Sequence, residues 1–111
     1  MSAAEFEAYT EGRTLSFGVG GEVYGMEQYR PGRRVTWTFL DGECSEGRWY
    51  AEGAEICFVY DDIPSPQCWL FYRGESGLVA RFSGPEGPST VLYEVGETRE
   101  PMMCLGPEVG V

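Results

Sequence analysis

Four cysteines, Cys44, Cys57, Cys68 and Cys104, are the residues of this 111-residue chain most suited to covalent chemistry, and no histidine is present to assist them. Structural zinc sites pair their ligands two to four residues apart, whereas the gaps between these cysteines are long and uneven. A C-x-x-C redox pair is absent. Serine and cysteine hydrolases of the usual kind need a histidine base, and a Ser–Lys variant needs a lysine, which the chain also lacks. The cysteines therefore read as two disulfides, with no metal, cofactor or catalytic nucleophile assigned to them. Two disulfides point to an oxidising compartment, here a bacterial periplasm or the exterior. No signal peptide is visible ahead of Glu5, so the expectation is a mature segment behind an added methionine.

Carboxylates are the remaining acid–base groups. Asp41 or Glu43 with Asp61 or Asp62 is the pairing that a β-hairpin would bring together, as acid and base of a hydrolase or as oxygen ligands for calcium. Ordinary solvated turn residues explain the same acids, and no D-x-D-x-D-G loop is present. Gly18-Val19-Gly20-Gly21 lacks the spacing and the strand–loop–helix setting of a nucleotide loop and reads as a hairpin turn. Arg30, Arg33 and Arg34 crowd one turn and form the leading polar candidate for gripping a carboxylate or phosphate; pairing with nearby acids such as Glu27 is the plainer reading. Trp37, Trp49 and Trp69, with Phe71, are the candidates for lining an apolar pocket, or else they simply fill a core.

These side chains must be held by a small all-β scaffold. The length predicts one domain over residues 1–111, and 16 glycines and 7 prolines fall at turn spacing. Ser2 with Glu5 forms an S-x-x-E capping box, predicting a short helix that carries Phe6 and Tyr9 on one face and ends near Gly12. Eight strand-like segments follow, beginning at Arg13, Glu22, Arg34, Gly47, Ala54, Gln67, Leu78 and Thr90. Short sequential strands with tight turns predict an antiparallel meander closing into an up-and-down, calycin-like barrel, with a β-sandwich as the alternative.

A hairpin about Glu52-Gly53 sets Trp49 opposite Ile56, and alternation then sorts the faces. Val35, Trp37, Phe39, Trp49, Ile56, Phe58, Trp69 and Phe71 share the core face. The opposite face carries Arg48, Tyr50, Cys57, Val59, Cys68, Leu70 and Tyr72, which is too apolar for open solvent. The tail around Met102-Met103-Cys104-Leu105, the helix, or a second copy in a homodimer is expected to cover it, with Tyr50, Val59, Leu70 and Tyr72 as the interface. Cys57 and Cys68 point the same way from neighbouring strands. Of three connectivities, this favours Cys57–Cys68 with Cys44–Cys104, each bridge contributing roughly 2–4 kcal/mol.

The formal charge is −10, from 18 acids against 8 arginines. Such acidity argues against nucleic acid or an anionic membrane as partner, and no apolar run approaches the ~20 residues of a spanning helix. Arginine without lysine points to a GC-rich bacterial source. The series Asp41-Gly42, Gly47-Arg48-Trp49, Ile56-Cys57-Phe58 and Cys68-Trp69 resembles small exported bacterial β-proteins with a D-G, G-x-W and two-cysteine pattern, and the G-x-W also looks like the strand motif of calycins. The resemblance implies location and fold and carries over no ligand or catalytic residue. The function expected is non-catalytic: an exported domain that binds a protein or small-molecule partner. The alternatives are the carboxylate-dependent hydrolase and a structural, self-associating envelope protein.

Overall fold

Eight strands follow one another without crossover, each antiparallel to the next: β1 (Thr14–Val19), β2 (Glu22–Arg30), β3 (Arg34–Thr38), β4 (Cys44–Glu52), β5 (Glu55–Tyr60), β6 (Gln67–Arg73), β7 (Leu78–Phe82) and β8 (Val91–Thr98). β1 also pairs with β8, so the sheet closes into a barrel with no free edge. The computed structural model describes residues 1–20, 22–40, 43–83, 90–100, 102 and 104. Among them, no helix is long and apolar enough to cross a membrane.

The single described helix, α1 (Ala3–Thr10), starts where the capping box places it. The Glu5 amide donates to Ser2 Oγ at 3.1 Å, and the Ser2 amide donates back to Glu5 Oε1 at 2.9 Å. The helix enters one end of the barrel and drives Phe6 into its base. Phe6 is fully buried, with its ring centroid 5.0 Å from Trp49, 5.6 Å from Tyr29 and 4.5 Å from Phe71. Polar contacts fix the plug at its rim. Tyr9 Oη donates to Glu94 Oε1 at 2.7 Å, Arg33 pairs with Glu7 at 3.1 Å, and the N-terminal ammonium donates to the Phe71 carbonyl at 3.1 Å. A Ser2→Ala variant is expected to lose about 1 kcal/mol of unfolding free energy, read from its urea midpoint; an unchanged midpoint would mean that the docked face holds α1 without its cap.

The β4–β5 turn corrects one expectation. It is Gly53-Ala54, not Glu52-Gly53, so Glu52 faces Glu55 and Trp49 faces Phe58 rather than Ile56. The reason is backbone chemistry: the first turn position takes φ 59°, a left-handed conformation that glycine adopts at little cost and glutamate does not. The register moves by two residues, so each side chain keeps its face. Phe39 is a second correction. β3 stops at Thr38, and Phe39 stands 53% exposed beyond it rather than in the core.

Both disulfides are Cys57–Cys68 and Cys44–Cys104. Cys57 and Cys68 are register partners across β5 and β6, on the side opposite the core residues Ile56 and Phe58. Beyond β8 the chain crosses the outside of the barrel. Thr14 Oγ1 donates to the Glu100 carbonyl at 3.0 Å, the Met102 amide donates to Gln28 Oε1 at 3.2 Å, and Cys104 is bonded to Cys44. The described tail thus straps β1 and β2 to the start of β4. On the outer face expected beneath the tail, Tyr50, Val59 and Leu70 are half-buried and Tyr72 is exposed. Met103 and Leu105 lie outside the described residues.

Candidate ligand-binding cavity

The inward side chains divide the barrel by depth. At the plugged end, Phe6 packs with Trp49, Tyr29, Phe58 and Phe71, and the interior is filled. At the opposite end, which carries the β1–β2, β3–β4 and β5–β6 connections, it is not. A cavity of about 90 Å³ runs down from that end between Trp37 on β3, Trp69 and Phe71 on β6, and Ala80 and Leu92 on β7 and β8. Ile63, in the loop after β5, borders it.

An aromatic triad forms one side of the mouth. Trp37 lies 5.3 Å from Phe39 and 6.2 Å from Tyr24, and Tyr24 lies 5.4 Å from Phe39. Two local features build it. Tyr24 is the extra residue of a bulge: Phe17 faces Gly25 while Gly18 faces Val23, which leaves Tyr24 without a partner on β1 and turns it toward the mouth. The next residue is glycine because the Trp37 ring lies where a Cβ would be, so any side chain at position 25 would displace the indole. Tyr24 and Phe39 are each about half exposed, at 49% and 53%, and a cluster of open aromatic rings around a cavity is characteristic of a binding surface.

Deeper in the cavity, among the described residues, stands one carboxyl group. Glu27 on β2 is only 4% exposed, and its register neighbours Leu15 and Trp37 are apolar. Its partner is the Tyr60 hydroxyl, 2.9 Å from each carboxyl oxygen. Burial pushes the Glu27 carboxyl up to about 8, opposed by the smaller effect of the Tyr60 hydrogen bond. Burial raises the Tyr60 and Tyr29 phenols as well, and the charge of Glu27 adds to both shifts. Glu27 is thus mostly protonated at neutral pH, which removes the larger cost of holding a bare carboxylate in low dielectric.

The residues singled out in the sequence scatter around this cavity. Trp37 and Trp69 line it. Trp49 belongs to the plug, buried against Phe6 with the Arg33 guanidinium 4.4 Å above its ring. The arginine turn does not converge on a ligand: Arg30 pairs with Glu46, Arg33 with Glu7, and Arg34 is exposed. Glu27, expected as an arginine partner, faces the interior instead. Of the acids, Asp61 and Asp62 are exposed, Asp62 accepts from Ser45 Oγ at 2.9 Å, and Asp41 lies outside the described residues. Glu55 lies with Cys57 and Cys68 in a grouping of metal-ligand type, but the two sulfurs are bonded to each other, which leaves one carboxylate.

Sequence reasoning missed Glu27, Tyr29, Tyr60 and Tyr24. Alternation gave a signal for the first two, since Glu27 and Tyr29 share a face of β2, and a glutamate on the face of a buried tyrosine marks either a misplaced strand or a site. No protein-family model, no curated protein and no solved structure matches this chain, so the cavity itself has to carry the functional reading.

Proposed function

We propose that this protein is a non-catalytic binding module of an oxidising compartment, periplasmic or extracellular, that takes a small, largely aromatic ligand into the open end of its barrel. The observation that carries the reading is the aromatic-walled cavity with the buried Glu27–Tyr60 pair in it. Apolar walls with a few placed polar groups are what small-molecule sites present. The two disulfides support the compartment. The size narrows the ligand: about 90 Å³ is well under the ~300 Å³ at which sites for drug-sized molecules begin. The occupant is one ring with a short substituent, or the ring-bearing end of a larger molecule whose remainder lies across Tyr24 and Phe39.

The same carboxyl also suits general acid–base catalysis, since its affinity for protons is raised toward neutrality. Such a reaction needs a second group of opposite role. Among the described residues lining the cavity Glu27 is the sole carboxylate, and the Tyr60 and Tyr29 phenols are shifted away from neutrality. That favours binding over turnover.

Titration with indole, followed by the amide and indole N–H signals in two-dimensional NMR, tests the reading. Saturable shifts confined to Trp37, Trp69, Tyr60 and their neighbours are expected, with Trp49 unmoved. Uniform or absent shifts at millimolar indole would defeat it.

A further inference from the structure

We propose that the ligand is an amine: a small aromatic or arylalkyl ammonium ion whose charged nitrogen pairs with Glu27 while its ring lies among the aromatic walls. This rests on the binding reading above and adds the chemistry of the polar end.

The hydrogen-bond inventory of Glu27 comes first. An ionised carboxylate offers about four acceptor positions, and the described structure gives Glu27 one partner, a single phenolic proton placed equally near both oxygens. If the carboxyl is protonated, its O–H can donate to the phenol oxygen while the phenol donates to the other carboxyl oxygen, which satisfies both protons and still leaves acceptor positions on the carboxyl unused. In either state the pair has capacity left over, buried and adjoining the cavity. An ammonium group, with three donors and no acceptor, matches what is missing.

The charges around the cavity exclude the opposite class. A carboxylate or phosphate ligand needs a cation, and no arginine lines the cavity. Arg30 and Arg33 are held by Glu46 and Glu7. The groups facing Glu27 are the phenol of Tyr60 across the barrel, Tyr29 on its own strand, and the apolar Leu15 and Trp37 on the flanking strands. Any further charge acting there is negative: Glu94 reaches Tyr29 and Asp62 reaches Tyr60. Among the described residues, an anion entering would meet no cation, only neutral donors such as the Gln67 amide beside the acids. A cation would meet an acid and the π faces of tryptophan and tyrosine, which attract it at short range. A formal charge of −10 draws cations toward the molecule from a distance.

A neutral aromatic fits the walls and gains at most one neutral hydrogen bond from Glu27, weaker than the charged pair an ammonium makes. An ammonium ligand displaces the acid's proton: R–NH3⁺ enters, the Glu27 O–H bond breaks, the electron pair stays on the carboxylate, and the proton leaves to solvent. Binding is then linked to pH. With the free carboxyl titrating near 8, amine affinity falls as pH drops below that value, by up to about tenfold per unit. A neutral ligand shows no such fall.

Benzylamine, benzyl alcohol and benzoate share one ring and differ in charge. Their affinities are measured by calorimetry at pH 6, 7 and 8, in two buffers of different ionisation enthalpy, for the native chain and for Glu27→Gln. Benzylamine is expected to bind tightest, to gain about tenfold from pH 6 to 7 and somewhat less from 7 to 8, and to release close to one proton per molecule at pH 7. Glu27→Gln is expected to weaken benzylamine by about tenfold or more and benzyl alcohol by much less, with a native-like far-UV circular dichroism spectrum reporting independently that the variant is folded. Benzyl alcohol binding as tightly as benzylamine, or benzylamine binding without proton release, overturns the amine assignment and leaves the binding reading intact. Failure of all three probes to bind overturns both.

Discussion

Replacing Phe6 by alanine is expected to remove 3–5 kcal/mol from the stability of the fold, a range set by about the loss seen for large aromatic-to-alanine changes in cores. For a chain of this length that lowers the melting temperature by on the order of 15 °C. The upper half of the range is the better expectation here. Phe6 is fully buried and meets four other rings, those of Trp49, Tyr29, Phe58 and Phe71. Their positions are set by closed strands that cannot collapse inward, so the void left by the ring stays open. The polar contacts of α1 do not compensate. The Arg33–Glu7 pair is half-exposed and contributes about 1 kcal/mol at most, and the Tyr9–Glu94 hydrogen bond contributes about the same. Phe6→Leu, which keeps most of the volume, should fall well between the native chain and Phe6→Ala in urea midpoint. A loss below about 1 kcal/mol in the alanine variant would show that the barrel does not depend on its helical plug.

The architecture was legible in the sequence because its determinants are local. A capping box sets the start of α1 whatever surrounds it, and alternation assigns faces without knowledge of which strand is the neighbour. That is why the Cys57–Cys68 pairing survives the misplaced β4–β5 turn: a register change of two residues preserves every face. What could not be read depends on partners distant in sequence. The half-open interior results from Phe6 entering one end while Phe39, after β3 stops, leaves the other uncovered. The Glu27–Tyr60 contact joins β2 to β5 across the barrel, 33 residues apart. Trp49 and Trp69 look alike in the sequence, yet one packs under the helix and the other walls the cavity, because the helix enters from one end only. The bulge at Tyr24 arises from a mismatch between two strands, which neither strand shows alone.

The native protein should lose stability steeply as pH rises through neutrality, and Glu27→Gln should abolish that loss. The sign follows from proton counting. Glu27 holds its proton up to about pH 8 in the fold, against an ordinary value of 4.5. Between these limits the folded state binds more protons than the unfolded chain, so its unfolding free energy falls with pH. Glu27's contribution is fully present below pH 4.5 and gone once pH has passed through 8. The slope approaches ~1.4 kcal/mol per pH unit, and across the window the change is on the order of 5 kcal/mol, comparable to the whole stability of many small domains. Glutamine keeps the shape and an acceptor for Tyr60 but does not titrate. The variant is expected to match the native chain near pH 5 and to exceed it by several kcal/mol near pH 8.5. The difference between the two urea-unfolding curves isolates this residue from the other acids, whose mutual repulsion also grows with pH. Tyr60→Phe works in the opposite direction. It removes the one hydrogen bond that favours the ionised carboxyl, so the loss should begin at the same pH but extend to higher pH and grow larger, rather than be erased. Parallel curves for the native chain and Glu27→Gln from pH 5 to 8.5 would mean that Glu27 is already ionised and solvated in the fold. An ammonium ligand supplies the counter-charge that the apo cavity lacks, so its stabilising effect should be greatest at the alkaline end of this range, where the empty protein is weakest.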